Sequence, residues 1–408
     1  MVFTYDDGRP LRLRVSSHTQ WSAGHAHAGR SRGRIAQARG TSVRPPKRRA
    51  NFTAPVAVAP EDCGLAGRCY DVHDLAIITV STNESHWIEA LLPTVFDHMG
   101  DISADVVVVD NDSRDGTAEL VANEFPEART VWSANHGFGH ANNRALMTCD
   151  ARYVLFLNPD TEIMDGTFAD LVALMDARPT VGLVGCRQII RGDGSLCRTA
   201  YYFPNALRAL GDALWAGRLR WRPRWLGERE LDPRRYDQEF SCDWTTGSFM
   251  LVRREALESA GWFDERFFMY TEETDLCRRV KTAGWEIRHL PQMTIMHYVT
   301  PTAITPRVGS LYAVTRMMYA RKHFSPGHRA LFRGTVLLRY LLRAGYAGSG
   351  ELGCQRREVS RAVVATMLGR RPVPFAAITS PVSVTTGDSE LRAAVGGSAG
   401  SGRREVLR

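Results

Sequence analysis

The chain of 408 residues lacks the long apolar runs and the paired cysteines that define several protein classes. No run reaches the roughly 18 consecutive apolar residues that a membrane-spanning helix needs. The first 30 residues contain no apolar core followed by small residues, so we predict no secretory signal and a cytoplasmic protein. Eight cysteines occur without a C-x-x-C pair, which argues against a zinc ribbon or a disulfide framework. We expect mostly reduced, buried thiols.

Acidic residues are scarce in the first 60 positions, which contain eleven Lys and Arg but only Asp6 and Asp7. Residues 61–408 carry 41 basic and 42 acidic side chains, so the net charge of +8 comes from the N-terminal segment. This distribution argues against a folded nucleic-acid-binding domain. Because the segment also has little aliphatic periodicity, we expect residues 1–72 to be a disordered basic extension. A polybasic arm for anionic lipid or nucleic acid, and a start codon assigned too far upstream, are the alternatives.

Short apolar runs alternate with helix-compatible stretches from residue 74 onward. Residues 75–80 and 106–109 have the composition of strands that are buried on both faces, and residues 130–132 and 153–157 are predicted as a third and a fourth strand. Helix-compatible segments over residues 86–99, 116–125 and 141–149 separate them. This alternation predicts βαβ units and an α/β sheet, with ligands at the carboxyl ends of the strands.

Each of these strands ends at a cluster of polar residues. In chain order the clusters contain Ser81 and Asn83, Asp110 and Asn111, Asn135 and Gly137, and Asn158 and Asp160. Asp110 can accept a hydrogen bond from the N–H of a uracil or thymine base. Asp160 can hold Mg²⁺ or Mn²⁺, with phosphate oxygens and water as the other ligands. The same residue types also form turns, so each cluster taken alone is ambiguous.

Three acids follow an aromatic run in the second half of the chain. Residues 245–252 are predicted as a strand and residues 253–260 as a helix, and Thr271 is a plausible N-cap for the next helix. Glu272, Glu273 and Asp275 in its first turn are favoured by the helix dipole, but a general base would also fit there. His297 follows an apolar strand and is either structural or a further ligand of the cation.

The residues after 300 are predicted to form amphipathic helices, over residues 316–324 and 329–343. They form either an interfacial surface toward a lipid-linked acceptor or a helical subdomain packed on the core. We expect this helical region to span residues 301–372, followed by a disordered tail over residues 373–408.

Five segments in order resemble the inverting nucleotide-sugar glycosyltransferases of family two, in their rhamnosyltransferase-like form. They are V-V-D-N-D-S-R-D-G-T at 108–117, N-H-G-F at 135–138 with Asn142 and Asn143, L-N-P-D at 157–160, Gly247 with M-L-V-R-R at 250–254, and E-E-T-D-L-C-R-R at 272–279. The resemblance covers about residues 74–300. It implies a GT-A fold over residues 73–300, a Rossmann-like mixed sheet flanked by helices, with a C-terminal helical extension.

The resemblance also implies roles for individual residues. The residues implied to contact the nucleotide-sugar are Ser81, Asn83, Asp110, Asn111, Asn135, Gly137, Asn142, Asn158 and Asp160. The divalent cation is implied to bind Asp160 with Asn158 and His297, and the acceptor to contact Trp244, Gly247 and Arg278. The implied base is Glu273, with Glu272 and Asp275 as the other candidates. The implied reaction moves a rhamnose-type sugar from a dTDP- or UDP-linked donor to a hydroxyl of a cell-envelope glycan or lipid-linked acceptor. The implied location is the cytoplasm, with peripheral contact at the inner face of the plasma membrane.

Three departures from the family pattern keep other hypotheses open. Thr82 stands where the family usually has Tyr, Glu273 stands where it usually has Asp, and His297 is followed by Tyr-Val-Thr-Pro without the expected Gly and Ser. A catalytically silent nucleotide-sugar-binding protein would bind the nucleotide without turnover. A hydrolase with paired carboxylates would need no metal.

Overall fold

The computed structural model describes residues 72–216, 223–298 and 305–371. Its first half alternates strands and helices, as expected from the apolar runs. The elements are β1 (His73–Ser81), α1 (Ser85–Asp97), β2 (Ala104–Asn111), α2 (Thr117–Glu124), β3 (Ala128–Ser133), α3 (Phe138–Leu146), β4 (Ala151–Leu157), β5 (Thr161–Asp165), α4 (Phe168–Asp176) and β6 (Val181–Ile190). The predicted basic extension, apart from Val72, and the predicted tail lie outside the described residues.

The second half contains the remaining strands and most of the helices. They are β7 (Leu196–Cys197), β8 (Ala200–Tyr201), α5 (Ala206–Ala213), β9 (Phe240–Ser241), β10 (Trp244–Thr245), β11 (Phe249–Arg253), α6 (Arg254–Ala260), α7 (Glu272–Thr282), β12 (Glu286–His297), α8 (Pro306–His323), α9 (Pro326–Gly345) and α10 (Glu351–Met367). The third C-terminal helix, α10, lies within the helical region predicted over residues 301–372, although no separate helix was predicted there. The predicted strand over residues 245–252 is divided by a turn at residues 246–248, and β10 pairs with β8 in a separate sheet.

The main sheet is mixed and has the strand order β3-β2-β1-β4-β11-β6-β12-β5. Strands β1 to β4 are parallel, whereas β11 runs antiparallel to both β4 and β6. The valines of residues 106–109 are all buried because helices cover both faces of β2. Helices α1, α2 and α4 pack on one face, and α3, α6 and α7 pack on the other. This confirms the predicted α/β class with a central mixed sheet flanked by helices.

A third apolar cluster joins the C-terminal helices to the rest of the chain. Ala206 and Ala209 of α5 pack with Phe332 and Val336 of α9 and with Val363 of α10. The predicted C-terminal helical region is therefore present and packs on the sheet-containing part. Helices long and apolar enough to cross a membrane are absent from residues 72–216, 223–298 and 305–371. Five of the six cysteines in these ranges are buried and all six are free, as expected for reduced thiols.

Candidate active site

The carboxyl ends of β1, β2 and β3 form one row at the edge of the parallel half of the sheet. The strand register places Ser81 beside Asp110 and Asp110 beside Trp132. Oδ1 of Asp110 accepts a hydrogen bond from the backbone N–H of Ser113 at 2.9 Å, and the carboxylate is mostly buried. Ser81 Oγ lies 3.5 Å from Thr117 Oγ1, at the start of α2. The turn after β2 therefore fixes the Asp110 carboxylate at this edge.

Side-chain hydrogen bonds join the turn after β1 to the turn after β2. The N–H of Asn83 donates to Ser113 Oγ at 3.0 Å, and Asn83 Oδ1 accepts from the N–H of Arg114 at 2.8 Å. Asn111 Nδ2 donates to Thr82 Oγ1 at 3.1 Å. Asn83 and Asn111 thus hold the two turns together, and Thr82 takes part in that link. Their predicted contact with a nucleotide stays a prediction.

The loop after β3 touches the segment that leads into α7. Gly137 has φ +108°, and a Cβ there would lie 2.2 Å from the carbonyl oxygen of Phe268. The next N–H, of Phe138, donates to the same carbonyl at 2.9 Å. Only glycine allows this approach, because any side chain would displace the backbone of residue 268. Asn135 lies partly buried just before this contact.

Two neighbouring asparagines of α3 have different surroundings. Asn142 Nδ2 donates to Phe138 O at 2.9 Å within the helix, and its buried Oδ1 has no partner among the described residues. Asn143 donates to Phe263 O at 3.0 Å and to Glu265 Oε1 at 2.9 Å, and its Oδ1 accepts from the N–H of Phe263 at 3.1 Å. Asn143 therefore clamps α3 to the residues that precede the acidic helix.

Asp160 and His297 come together, as the metal prediction requires. His297 Nε2 lies 3.3 Å from Asp160 Oδ1, outside hydrogen-bond geometry, and His297 is fully buried. Neither ring nitrogen has a hydrogen-bond partner among the described residues. Burial lowers the pKa of His297, although Asp160 opposes this, and the lower pKa favours the neutral ring that a metal ligand must have. A buried imidazole with free nitrogens beside a carboxylate fits a divalent cation.

The surroundings of Asp160 also keep it ionised. Burial raises its pKa, but contact with His297 outweighs burial and the net pKa lies below 3.8. Asn158 is mostly buried two residues earlier, where its N–H donates to Ser248 O at 3.1 Å. Asn158 and Asp160 thus lie between β4 and β5, and His297 ends β12, where it pairs with Thr161 at the start of β5. A group of three His, Cys, Asp or Glu side chains able to hold a metal is absent from the described ranges, so phosphate oxygens and water would complete the coordination.

Glu84 is a site residue that was not predicted. Burial, together with the charges of Asp160 and Asp115, raises its pKa to about 7. It follows Asn83 directly and stands in the same row of strand ends. In the sequence, Glu84 could have been noticed as a carboxylate in the polar cluster that follows β1, but the resemblance assigned that residue no role.

The three acids at the start of α7 have distinct environments. Burial raises the pKa of Glu273 to about 7. Burial together with the charge of Glu273 raises that of Glu272 well above 4.5, and Glu272 Oε2 has no partner among the described residues. Thr271 does not cap the helix with its side chain, because its φ of +74° turns the hydroxyl to Thr315 Oγ1 at 3.1 Å. Glu273 is therefore the acid poised to exchange a proton near neutral pH.

Asp275 is fully buried between basic side chains of α7 and α8. His323 Nε2 lies 2.7 Å from Oδ1, Lys322 Nζ donates at 2.9 Å, and Arg279 Nε donates to Oδ2 at 2.8 Å. Burial raises the pKa of Asp275, but His323, Arg279 and Lys322 outweigh it and the net pKa is lowered. With its oxygens occupied by cations from α7 and α8, Asp275 links the two helices, which disfavours it as the base.

One of the three predicted acceptor residues, Trp244, lies beside Glu273. A cavity is lined by Glu273 and Trp244 together with Tyr312, Arg316 and Tyr319 of α8. Trp244 stacks on Tyr201 with ring centroids 4.1 Å apart. The predicted residue Arg278 lies on the same helix as Glu273, with its guanidinium 4.8 Å from the Phe203 ring centroid. Gly247 lies against the Phe138 ring, where a Cβ would find ordinary contact at 3.7 Å.

Sequence reasoning missed the contribution of α8 to this cavity. Arg316 is buried and forms a bidentate ion pair with Glu228, with Nη1 to Oε2 at 2.7 Å. Nη1 also donates to Tyr312 Oη at 3.1 Å. One wall of the cavity beside Glu273 therefore comes from the C-terminal helices.

Comparison with known families finds a match over part of the chain. Residues 76–261 match the family model described as glycosyl transferase family 2. The matched residues end before Glu273 and His297.

Named relatives agree with that family. The chain is 33% identical over 210 residues to N-acetylglucosaminyl-diphospho-decaprenol L-rhamnosyltransferase of Mycobacterium tuberculosis. The alignment covers 47% of this chain and 66% of the relative, just under two thirds of its length. It is 25% identical over 230 residues to rhamnosyltransferase WbbL of Escherichia coli K12, over 54% of this chain and 82% of the relative. A solved mannosyltransferase from Pyrobaculum calidifontis, in complex with GDP-Man and Mn²⁺, aligns over 76% of this chain and 79% of its own with 18% identity and a TM-score of 0.43.

Proposed function

We propose that this chain is an inverting glycosyltransferase that moves a rhamnose-type sugar from a nucleotide-diphosphate donor, dTDP- or UDP-linked, to an acceptor hydroxyl. The observation that carries the proposal is the position of Glu273. It lines a cavity beside Trp244 and follows a segment bonded to the Gly137–Phe138 loop of the nucleotide side. Two relatives named as rhamnosyltransferases support the choice of sugar.

The reaction is a direct displacement at the anomeric carbon. Glu273 takes the proton of the acceptor hydroxyl while that oxygen bonds to the anomeric carbon. The bond from this carbon to the diphosphate breaks, and its electron pair leaves with the diphosphate. A pKa of about 7 leaves a large fraction of Glu273 ionised at neutral pH and still basic enough to accept a proton.

Asp160 and His297, with Asn158, are the residues proposed to hold Mg²⁺ or Mn²⁺. A bound cation would neutralise the charge that develops on the diphosphate. Asp110 is placed to bind the nucleobase, and Ser81, Asn135, Gly137 and Asn142 to line the remainder of the donor site. Holding donor and acceptor in line supplies much of the rest of the rate enhancement.

The acceptor we propose is a glycan of the cell envelope or a lipid-linked saccharide. The relative from Mycobacterium tuberculosis is named for a diphospho-decaprenol acceptor, which supports this class. We assign the chemistry to a catalytic domain over residues 73–300 and part of the acceptor site to residues 301–372. A cytoplasmic location, at the inner face of the membrane, follows from an acceptor of this kind.

The test is a transfer assay on the full chain with dTDP-rhamnose or UDP-sugars, a lipid-linked saccharide and Mn²⁺. We expect nucleotide release that requires both acceptor and metal. Glu273→Gln should lower kcat about 10²-fold or more while nucleotide-induced thermal stabilisation remains.

Two results would contradict the proposal. Nucleotide binding without turnover by the wild type would identify a silent nucleotide-sugar-binding protein. Release of free sugar without acceptor and without metal would identify a hydrolase.

A further inference from the structure

The near-neutral net charge of residues 61–408 is the sum of a positively charged part and a negatively charged part. Residues 305–371, which form α8, α9 and α10, contain 13 Lys and Arg but only two acids, Glu351 and Glu358. Residues 72–304 contain 23 Lys and Arg and 34 Asp and Glu. The C-terminal helices are therefore a strongly cationic unit on an acidic domain.

Helix α9 exposes an apolar face. Residues at intervals of three and four along it point outward: Gly327, Leu331, Gly334, Leu338, Leu341 and Gly345. Leu331 is 62% exposed and Leu341 is 56% exposed. These residues share the surface of the helix with the exposed Arg329 and Arg333, whereas a helix on the surface of a protein in water exposes mainly polar residues.

The arginines of α9 lie on the other half of the helix. At 3.6 residues per turn, Arg329, Arg333, Arg339 and Arg343 are each at least about 120° from the centre of the leucine face. That half also carries the buried residues Phe332 and Val336. Arg333 Nη2 donates to Met367 O at 2.6 Å, so its stem runs along the junction with α10. The cationic groups thus flank the apolar face without interrupting it.

The apolar surface continues beyond α9. Tyr346, at the end of the helix, is 77% exposed, and its ring meets that of Trp215 edge to face, with centroids 5.9 Å apart. Leu214, beside Trp215 at the end of α5, is also exposed. Tyr and Trp are favoured where an apolar layer meets water.

We propose that this surface, called here the α9 face (Leu331, Leu338, Leu341 and Tyr346), docks on an anionic lipid bilayer. The helix would lie in the plane of the membrane, with its leucines among the upper acyl chains and the flanking arginines at the phosphates. Binding requires no transferase chemistry, so it can be tested apart from the proposed function.

Charge complementarity favours a bilayer over a second copy of the chain. Pairing two α9 faces would bring two strongly cationic units together. Anionic lipid instead carries the charge opposite to this unit, which also exposes Arg321, Arg356 and Arg361.

The test is flotation of the full chain with vesicles of phosphatidylcholine alone or with 30% phosphatidylglycerol (about one lipid in three, enough to give a strongly negative surface). The variant carries L331Q, L338Q and L341Q; the matched control carries M147Q and M164Q, two exposed methionines of the catalytic domain. Circular dichroism checks that both fold. The basic N-terminal segment is present in every protein, so its contribution cancels.

We expect the wild type and the control to prefer the anionic vesicles, and the leucine variant to bind them at least about tenfold more weakly. Equal binding by the variant would overturn the proposal. A wild-type dimer that the variant abolishes, with vesicle binding unchanged, would also overturn it and assign the face to a second copy.

Discussion

Replacing Glu273 by Gln should remove activity and at the same time stabilise the fold above neutral pH. The folded-state pKa of about 7 exceeds the ordinary value of 4.5 because the carboxyl is buried. Between these two pH values the folded chain holds a proton that the unfolded chain has released. The free energy of unfolding therefore falls as pH rises from about 4.5 to about 7, and the loss is complete above that range.

The size of this effect follows from the gap between the two pKa values. A full gap of that width is worth about 3 kcal/mol, and partial exposure of the side chain reduces it to about 1–3 kcal/mol. Glu273→Gln should therefore unfold at a higher temperature than the wild type at pH 8 and at nearly the same temperature at pH 4.5. Thermal unfolding followed by circular dichroism at the two pH values measures this. A variant less stable than the wild type at pH 8 would refute the reasoning.

The matched control is the neighbouring acid. Burial and the charge of Glu273 raise the pKa of Glu272 well above 4.5, which favours its protonated form, so Glu272→Gln should retain activity. In the wild type, kcat/KM should rise as pH increases through about 7, since the base must be ionised. If Glu272→Gln loses activity and Glu273→Gln retains it, Glu272 is the base.

Three further substitutions test the site. Asp275→Asn should cost about 1.5–3 kcal/mol in urea unfolding, because it removes the buried carboxylate that Arg279, Lys322 and His323 contact; a loss under 1 kcal/mol would contradict this. Asp160→Ala should weaken Mn²⁺ binding, measured by calorimetry with the nucleotide present, by at least about tenfold, and unchanged binding would exclude it as a ligand. Gly137→Ala should lower the melting temperature, because the added Cβ would collide with Phe268 O. The control Gly334→Ala should not lower it, because the added Cβ would lie in open space on α9.

The strands could be predicted from the sequence because they are buried on both faces. Residues 106–109 can only be a central strand, and the register that brings Ser81 next to Asp110 follows from parallel neighbours ending together. The pairing of Asp160 with His297 also agrees with the prediction, although 137 positions separate them. The resemblance supplied that pair, since local pattern cannot connect such distant residues.

Other features of the site depend on tertiary contacts that a linear pattern does not contain. Asp275 looks like a catalytic acid from its position, but its role depends on Lys322 and His323 of a later helix. Thr271 looks like an N-cap, but a left-handed backbone turns its hydroxyl away. The helical pattern after residue 316 left two interpretations open. Only the exposure of each side chain in the structure distinguishes the half of α9 that packs on the protein from the half whose leucines face outward.

The ion pairs of Asp275 have a consequence for how this protein can be divided. The helix that begins with Glu272 and Glu273 is held by cations from α8, so the C-terminal helices are not an interchangeable module. A chimera that takes α8–α10 from a relative should inherit α7 with them, or lose the electrostatic match at Asp275. The part of the chain that evolves as one unit therefore extends well past residue 261, where the family model ends.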